Sequence, residues 1–201
     1  KGMRIGVLRA PNVDAALFDA ALATLKAGGA DVVMLDGSKI DRQKIGQGEF
    51  KVLLAELKAN LATYLQALPE GIVPHKTLAD VIAFNKANAN TELQHFGQDI
   101  FEAADKEAGL DDPAYLQALA TSRGLASAAL NQFFARDKVD VIIAQTNGPA
   151  WLSTLGKGDA FSGPSASQLP AVAGFPHLTV PMGLSAGLPI GLSFIGPKWH
   201  D

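Results

Sequence analysis

The chain has 201 residues, 48% of them hydrophobic, which is enough apolar material for a substantial core. Its formal net charge of −3 gives no electrostatic reason for nucleic-acid binding, and we expect no nucleic-acid partner. The absence of cysteine excludes disulfides and thiolate chemistry. No apolar run reaches membrane length, so no membrane partner is expected. A cytoplasmic location is the default prediction, with secretion left open.

The amino-terminal segment predicts a β-α-β unit. Residues 4–9 form an apolar strand pattern, residues 14–26 repeat apolar side chains at helical spacing, and residues 31–35 return as a second strand. A crossover of this length predicts two parallel strands. No G-x-G-x-x-G follows the first strand, so a dinucleotide site is not predicted.

The middle of the chain predicts helices. Residues 38–48 are expected to form a polar connector, and residues 49–68 carry an apolar face at helical spacing. Thr77 is the expected N-cap of a third helix, with Asp80 in the acidic position of a capping box. A long helix is predicted over residues 114–136.

Two polar groups in this region leave functional alternatives. Asn85, Asn88 and His95 would reach a ligand if their face lines a cleft, and otherwise form a solvated or capping surface. Asp111 and Asp112 lack an acidic partner at metal-site spacing, so we expect them to cap the long helix.

The carboxyl-terminal third contains the most informative patterns. Residues 140–144 predict a strand buried on both faces, which opens into a loop at residues 145–149 where substrate contacts or an inert turn are expected. Residues 151–168 predict a long irregular segment, either functional or mobile. Two further strands are predicted at residues 177–180 and 190–195, around a turn rich in glycine and proline.

The two glycines Gly191 and Gly196, in and after the last predicted strand, have two possible structural roles. Gly191 and Gly196 indicate that another backbone or a ligand approaches closely, whereas the bland alternative is a core hairpin.

A serine hydrolase triad can be drawn but is disfavoured. Ser165 or Ser167 would combine with His177 and Asp159, yet no G-x-S-x-G nucleophile elbow is present. His177 begins an apolar strand, where a hydrogen-bonded core histidine is favoured over a general base. The four histidines are scattered without metal-site spacing, so we expect no metal and no cofactor.

Several segments, in order, resemble one family. They are AGFPHLTVPMG followed by GLPIGLSFIGP, together with KGMRIGV, LADVIAFN, and DVIIAQTNGP; HFGQ and LDDPAY add a likeness to the peptide-amidase branch. The chain thus resembles the carboxyl-terminal portion of the amidase signature family. This resemblance implies an α/β fold with a mixed β-sheet flanked by α-helices.

The resemblance also implies where catalysis resides. Family members hydrolyse amides with a Ser-Ser-Lys triad, and their Gly-Gly-Ser-Ser-Gly-Gly signature and lysine precede the region matched by residues 1–7. Neither has a counterpart in the 201 residues. We therefore expect residues 1–201 to be the carboxyl-terminal portion of a single amidase domain, without catalytic residues of its own and inactive alone.

The resemblance further implies a substrate-binding wall. The loop residues Thr146, Asn147, Gly148 and Pro149 match the family's substrate loop, although Gln145 stands where proline is usual. Ser165 and Ser167 match a Gly/Ser-rich segment that lies near the family's substrate cleft. The alternative is that they belong to a flexible cover without substrate contacts.

The implied function is hydrolysis of a small-molecule or peptide amide by the longer enzyme, and the alternative is a non-catalytic support or binding domain derived from the same fold. Self-association of the chain is also expected, because dividing a native sheet exposes an edge.

Overall fold

The computed structural model describes residues 2–200; Lys1 and Asp201, the ends of the predicted amidase portion, lie outside the described residues. Five strands and seven helices form within that range. In chain order they are β1 (Arg4–Val7), α1 (Ala15–Ala27), β2 (Asp31–Met34), α2 (Arg42–Ala67), α3 (Leu78–Ala87), α4 (Ala89–Glu92), α5 (Asp99–Asp105), α6 (Pro113–Asp137), β3 (Val141–Gln145), α7 (Gln168–Ala173), β4 (His177–Ser185) and β5 (Leu188–Ile195). The chain divides into two compact units, one of Lys1–Arg42 with Arg123–Asp201, the other of Gln43–Ser122.

The first unit contains a mixed five-stranded sheet in the order β2-β1-β3-β5-β4. Strand β1 pairs in parallel with both β2 and β3, whereas β5 pairs antiparallel with both β3 and β4. The predicted mixed α/β architecture and its parallel β-α-β unit are thereby confirmed. The parallel strands β1, β2 and β3 direct their carboxyl ends to one edge, where ligand sites of α/β sheets form.

The hairpin between β4 and β5 is longer and tighter than predicted. The prediction placed its turn over residues 181–189, but the strands extend to Ser185 and resume at Leu188. The two turn residues Ala186 and Gly187 have φ angles of 51° and 83°. Positive φ at both positions is the requirement of a type I′ turn, whose twist matches the flanking strands. The proline and glycine residues before it lie within β4, where a register irregularity between Pro181 and Gly183 accommodates them.

Apolar side chains from the sheet and α1 form the core of this unit. Phe18 and Leu22, one turn apart on α1, are buried against strand residues from β1, β3 and β5. Asp14 caps the helix by accepting a hydrogen bond from the Leu17 amide at 3.2 Å. The predicted amphipathic helix therefore covers one face of the sheet.

The second unit is helical, and it corrects one prediction. Residues 38–48 were expected to form a polar connector, yet α2 begins at Arg42. A Cβ atom at Gly48 would lie 2.9 Å from Cβ of Ser122 on α6. The glycine serves close helix packing rather than helix termination.

The predicted capping roles of Thr77, Asp80 and Asp112 are confirmed, whereas that of Asp111 stays a prediction. Thr77 accepts a hydrogen bond from the Asp80 amide, and the Asp80 carboxylate accepts one from the Thr77 amide, which completes the capping box. Asp112 accepts hydrogen bonds from the amides of Ala114 and Tyr115 at the start of α6. Both carboxylates therefore satisfy amides that the first helical turn leaves unpaired.

Across residues 2–200, no helix is both long and apolar enough to cross a membrane. The same residues contain no group of three or more side chains arranged to hold a metal ion.

Candidate functional site

The loop after β3 is held by an unpredicted side chain. Gln145 is buried, and its amide Nε2 donates a hydrogen bond to the carbonyl of Asn147 at 2.9 Å, while its Oε1 accepts one from the Asp14 amide at 2.7 Å. A glutamine at this position therefore ties the loop to the start of α1, using contacts that a proline would not make.

The same loop crosses the glycine-rich segment at backbone contact. A Cβ atom at Gly148 would lie 1.7 Å from the carbonyl oxygen of Ser162, and one at Gly163 would lie 2.7 Å from the Cα of Gly148. Asn147 forms an isolated antiparallel bridge with Ser165. Only residues without side chains permit this crossing. The loop and the glycine-rich segment are therefore in direct backbone contact.

A cavity of about 520 Å³, here called the aromatic cavity, opens beside this crossing. Trp151 at the start of the irregular segment and Phe161 within it meet edge to face, with ring centroids 5.6 Å apart. The lining residues come from the loop, the irregular segment, β4 and β5: Thr146, Asn147, Gly148, Ala150, Trp151, Phe161, Thr179, Val180, Pro181, Pro189, Ile190 and Gly191. An apolar wall with few polar groups is typical of a small-molecule pocket.

The polar groups of the aromatic cavity belong to a chain of hydrogen bonds. Thr146 Oγ1 lies 2.7 Å from Thr179 Oγ1 and 2.8 Å from Ser193 Oγ, and Ser193 Oγ lies 2.7 Å from His177 Nε2. Ser193 is fully buried, whereas His177 is exposed over much of its surface. Burial nevertheless lowers the pKa of His177, because the cationic ring loses solvation, and this favours the neutral imidazole near pH 7.

Gly191 makes this arrangement of hydroxyls possible. A Cβ atom at this position would lie 2.5 Å from Thr179 Oγ1 and 2.8 Å from Thr146 Oγ1. A close approach does occur at Gly191, but the approaching groups are two side-chain hydroxyls rather than the predicted backbone or ligand. At Gly196 a Cβ atom would have its nearest neighbour at an ordinary contact distance of 3.7 Å, so no close approach is found there.

A second cavity of about 400 Å³, here called the strand-end cavity, lies at the carboxyl ends of β1, β2 and β3. Ser165 lines it together with Arg9, Asp36 and Arg42. Arg9 is already paired with Asp19 on α1, and the Arg9 guanidinium holds the pKa of that carboxyl below its usual value. The strand-end cavity is thus mixed in charge.

The predicted substrate residues divide between these places. Thr146, Asn147 and Gly148 line the aromatic cavity, and Ser165 lines the strand-end cavity. Pro149 and Ser167 line neither of the two, and Ser167 Oγ lies 3.2 Å from Ser165 Oγ.

The disfavoured triad finds no support in the hydrogen bonds. His177 bonds to Ser193, and Ser165 bonds to Ser167. His177 is hydrogen-bonded as predicted, but it is exposed rather than part of the core.

Sequence reasoning missed four contributors to the aromatic cavity and its hydrogen bonds: Trp151, Phe161, Thr179 and Ser193. An available signal was the presence of two aromatic residues within one segment rich in glycine and serine. The partnership of Thr179 with Ser193 required the register of β4 and β5, which places the two residues opposite each other.

The polar group of the helical unit has structural partners. Asn85 Nδ2 donates to Gln98 Oε1 at 3.1 Å, and Asn88 Nδ2 donates to the Phe84 carbonyl at 2.9 Å. His95 is exposed. The capping interpretation therefore holds for Asn88, whereas Asn85 forms a partly buried side-chain pair with Gln98.

Comparisons with solved structures show closely similar folds. The peptide amidase PAM, in complex with the competitive inhibitor chymostatin, matches with a TM-score of 0.90 and 38% identity, over 99% of this chain and 40% of that one. The native peptide amidase from Stenotrophomonas maltophilia matches with a TM-score of 0.87 at the same identity and coverage. An amidase family protein from Bacillus anthracis str. Ames matches at 26% identity and a TM-score of 0.74, over 100% of this chain and 36% of that one.

Among curated proteins, no match to the chain is found. A family model described as Amidase matches residues 1–201. The chain spans 40% of the length of the peptide amidase structures it matches. The resemblance drawn from the ordered segments is confirmed by sequence and by fold, and the chain belongs to the amidase signature family.

Proposed function

We propose that this chain supplies part of the substrate-binding wall of an enzyme that hydrolyses carboxylic or peptide amides to an acid plus ammonia or an amine. The observation that carries the proposal is the aromatic cavity at the loop of residues 146–148. Its apolar wall suits the hydrocarbon part of a linear amide, and its two threonine hydroxyls suit the polar amide end. The similarity to peptide amidases favours a peptide amide as the substrate class.

The aromatic pair defines the expected substrate further. Trp151 and Phe161 present ring surface at one side of the aromatic cavity, while Val180 and Ile190 contribute aliphatic surface. Such a wall gains free energy by covering an apolar or aromatic side chain, since apolar burial is worth roughly 25 cal/mol per Å². We therefore propose that the preferred amides carry an apolar side chain next to the cleaved bond.

Catalytic residues are proposed to lie outside this chain. The 201 residues contain no Gly-Gly-Ser-Ser-Gly-Gly segment, and the peptide amidases it matches extend well beyond the matched 40%. Residues 1–201 are thus proposed to be the carboxyl-terminal portion of a single amidase domain, with Thr146, Asn147, Gly148, Pro149, Ser165 and Ser167 on its substrate side. No metal or organic cofactor is required by the proposed chemistry, because a base-activated serine and backbone donors perform amide hydrolysis.

The decisive experiment compares the chain alone with a longer protein. Ammonia release from a panel of peptide amides is measured for the 201-residue chain and for the product of the longer reading frame that contains it. Activity is expected only in the longer protein. Robust turnover by the chain alone, abolished by Ser165→Ala, would refute the upstream location of the catalytic residues. A longer frame in which the signature serines and lysine are replaced would favour the non-catalytic support or binding domain.

A variant of the longer enzyme tests the cavity itself. Trp151→Ala should raise KM for amides with apolar side chains by about tenfold, since losing much of an aromatic contact costs on the order of 1.4 kcal/mol. Trp199→Ala is the matched control, because Trp199 is exposed and lines neither cavity. Equal KM values for both variants would count against the aromatic cavity as the substrate site.

Self-association of the isolated chain is proposed through strand β4. This strand is at the edge of the described sheet, and its side chains Leu178 and Leu184 are exposed. An unpaired apolar edge is a template for pairing with another strand. Light scattering over a wide concentration range tests this, and a monodisperse monomer throughout would contradict it.

A further inference from the structure

The imidazole of His177 is connected to the aromatic cavity by three consecutive hydrogen bonds. They run from His177 Nε2 to Ser193 Oγ, from Ser193 Oγ to Thr146 Oγ1, and from Thr146 Oγ1 to Thr179 Oγ1, with separations of 2.7, 2.8 and 2.7 Å. Each separation is short enough to require a proton between the two atoms. This series of hydrogen bonds begins at the exposed His177 and ends at the hydroxyls of Thr146 and Thr179, which line the aromatic cavity.

The number of available protons allows two arrangements of these three hydrogen bonds. Each hydroxyl carries one proton, so the three hydroxyls supply three in total. When Nε2 carries no proton, all three protons are used in the three hydrogen bonds, and the threonine pair offers only lone pairs to the cavity. When Nε2 carries a proton, the imidazole supplies the first bond, and one hydroxyl proton is left over at the threonine pair. The cavity then receives a donor.

The buried position of Ser193 enforces the direction of these bonds. Ser193 has no exposed surface, so its hydroxyl proton has to point either at His177 or at Thr146. A buried hydroxyl without a partner is costly, which disfavours any mixed arrangement. The absence of a side chain at Gly191 leaves the hydroxyls of Thr146 and Thr179 the room they need to stay in contact with each other.

We propose that His177 is a positioning residue which sets the hydrogen-bond polarity of the aromatic cavity, accepting from Ser193 when a carboxamide N–H binds at Thr146 and Thr179. This inference rests on the proposed function, since it assigns the amide group to that threonine pair. In the acceptor state the threonine pair binds the N–H groups of a carboxamide and offers nothing to an acceptor-only carboxylate. The cavity therefore discriminates the amide substrate from its acid product.

Protonation of His177 weakens the discrimination between amide and acid. A cationic ring carries protons on both nitrogens, so Nε2 has to donate and the acceptor state is lost. Burial lowers the pKa of His177, and no charged side chain among residues 2–200 contributes to the shift. The group that faces Nε2 from the adjacent strand β5 is the uncharged Ser193. The acceptor state is consequently available at neutral pH and is lost as the pH falls through the pKa of His177.

The first test measures the pKa and tautomer of His177 by ¹⁵N NMR of the histidine-labelled 201-residue chain. Thr146→Val removes the acceptor that the Ser193 proton needs when His177 is protonated, so the pKa of His177 should fall by about half a unit to one unit. Thr146→Ser keeps the hydroxyl and should restore the original pKa. Thr24→Val, which removes a hydroxyl bonded to the Ala20 carbonyl on α1, should leave it unchanged. An unchanged pKa in Thr146→Val would overturn the coupling.

The second test uses two neutral probes on the unmodified chain. Benzamide carries N–H donors, whereas N,N-dimethylbenzamide only accepts hydrogen bonds. Affinities are measured from chemical-shift changes of the Thr146 and Thr179 amides above and below the pKa of His177. The ratio of benzamide to N,N-dimethylbenzamide affinity should fall at least threefold on the acidic side. Binding of both probes with a ratio independent of pH would overturn the inference alone. Failure of both probes to bind would overturn the cavity as an amide site, and with it the proposed function.

Discussion

Replacing Gly191 by alanine places a methyl group at the most crowded point of the hydrogen-bonded hydroxyls. The new carbon would lie 2.5 Å from Thr179 Oγ1 and 2.8 Å from Thr146 Oγ1, and both separations are shorter than van der Waals contact permits. Overpacking of this kind costs roughly 1–3 kcal/mol. Separating the two hydroxyls adds about 1 kcal/mol for the lost hydrogen bond. We expect the free energy of unfolding to decrease by about 2–4 kcal/mol in total.

Urea denaturation followed by circular dichroism measures this loss. Gly124→Ala is a matched control, because a Cβ atom at Gly124 on α6 would have no heavy atom within 4 Å outside the neighbouring helix backbone. That substitution should stabilise the chain by about 0.5–1 kcal/mol, the usual gain for alanine over glycine within a helix. Adding Thr179→Ala to Gly191→Ala removes the nearer oxygen and should recover part of the loss.

The reasoning is refuted if Gly191→Ala unfolds within about 0.5 kcal/mol of the unsubstituted chain, a difference typical of ordinary surface substitutions. It is also refuted if Thr179→Ala gives no recovery, since the crowding would then not involve that hydroxyl.

Three further substitutions test other contacts. Gly148→Ala should separate the loop from the glycine-rich segment, because its Cβ atom would lie 1.7 Å from the Ser162 carbonyl oxygen; faster proteolysis at residues 150–162 is expected, and an unchanged rate would contradict the crossing. Thr77→Ala should lower the free energy of unfolding, measured in urea, by about 1 kcal/mol because α3 loses its N-cap. The control is Thr63→Ala, because Thr63 lies inside α2 and caps no helix. Lys58→Met should cost about 1 kcal/mol in the same assay, because the ammonium group of Lys58 donates to two carbonyls at the end of α5; no loss would show that water replaces it.

The elements with clear periodicity were predictable because local patterns determine them. Residues 141–144 form a continuous apolar run, and the strand predicted over residues 140–144 is the central strand β3, shifted by one residue at each end. Thr77 and Asp80 form their capping box within one helical turn, so sequence spacing contains all of the required information. The start of α2 was missed because it depends on a contact that is distant in sequence. Gly48 allows α2 to pack closely against Ser122 on α6.

The candidate site was predictable only in part. The segment from residue 145 to 149 was identified because a buried strand has to deliver its loop to a sheet edge, and three of its residues do line the aromatic cavity. Ser165 was identified as well, but the structure places it in the strand-end cavity. Asn147 lines the aromatic cavity and its bridge partner Ser165 lines the strand-end cavity, and no local pattern specifies such a bridge.

The sequence by itself determined the family, the α/β class and the absence of the amidase signature, because ordered motifs and local periodicity encode all three. Only the tertiary structure decided that His177, Ser193, Thr146 and Thr179 form one hydrogen-bonded chain. The physical reason is strand register. Antiparallel pairing of β3, β4 and β5 brings residues up to 47 positions apart to within 3 Å, a distance that depends on the whole sheet rather than on any segment of it.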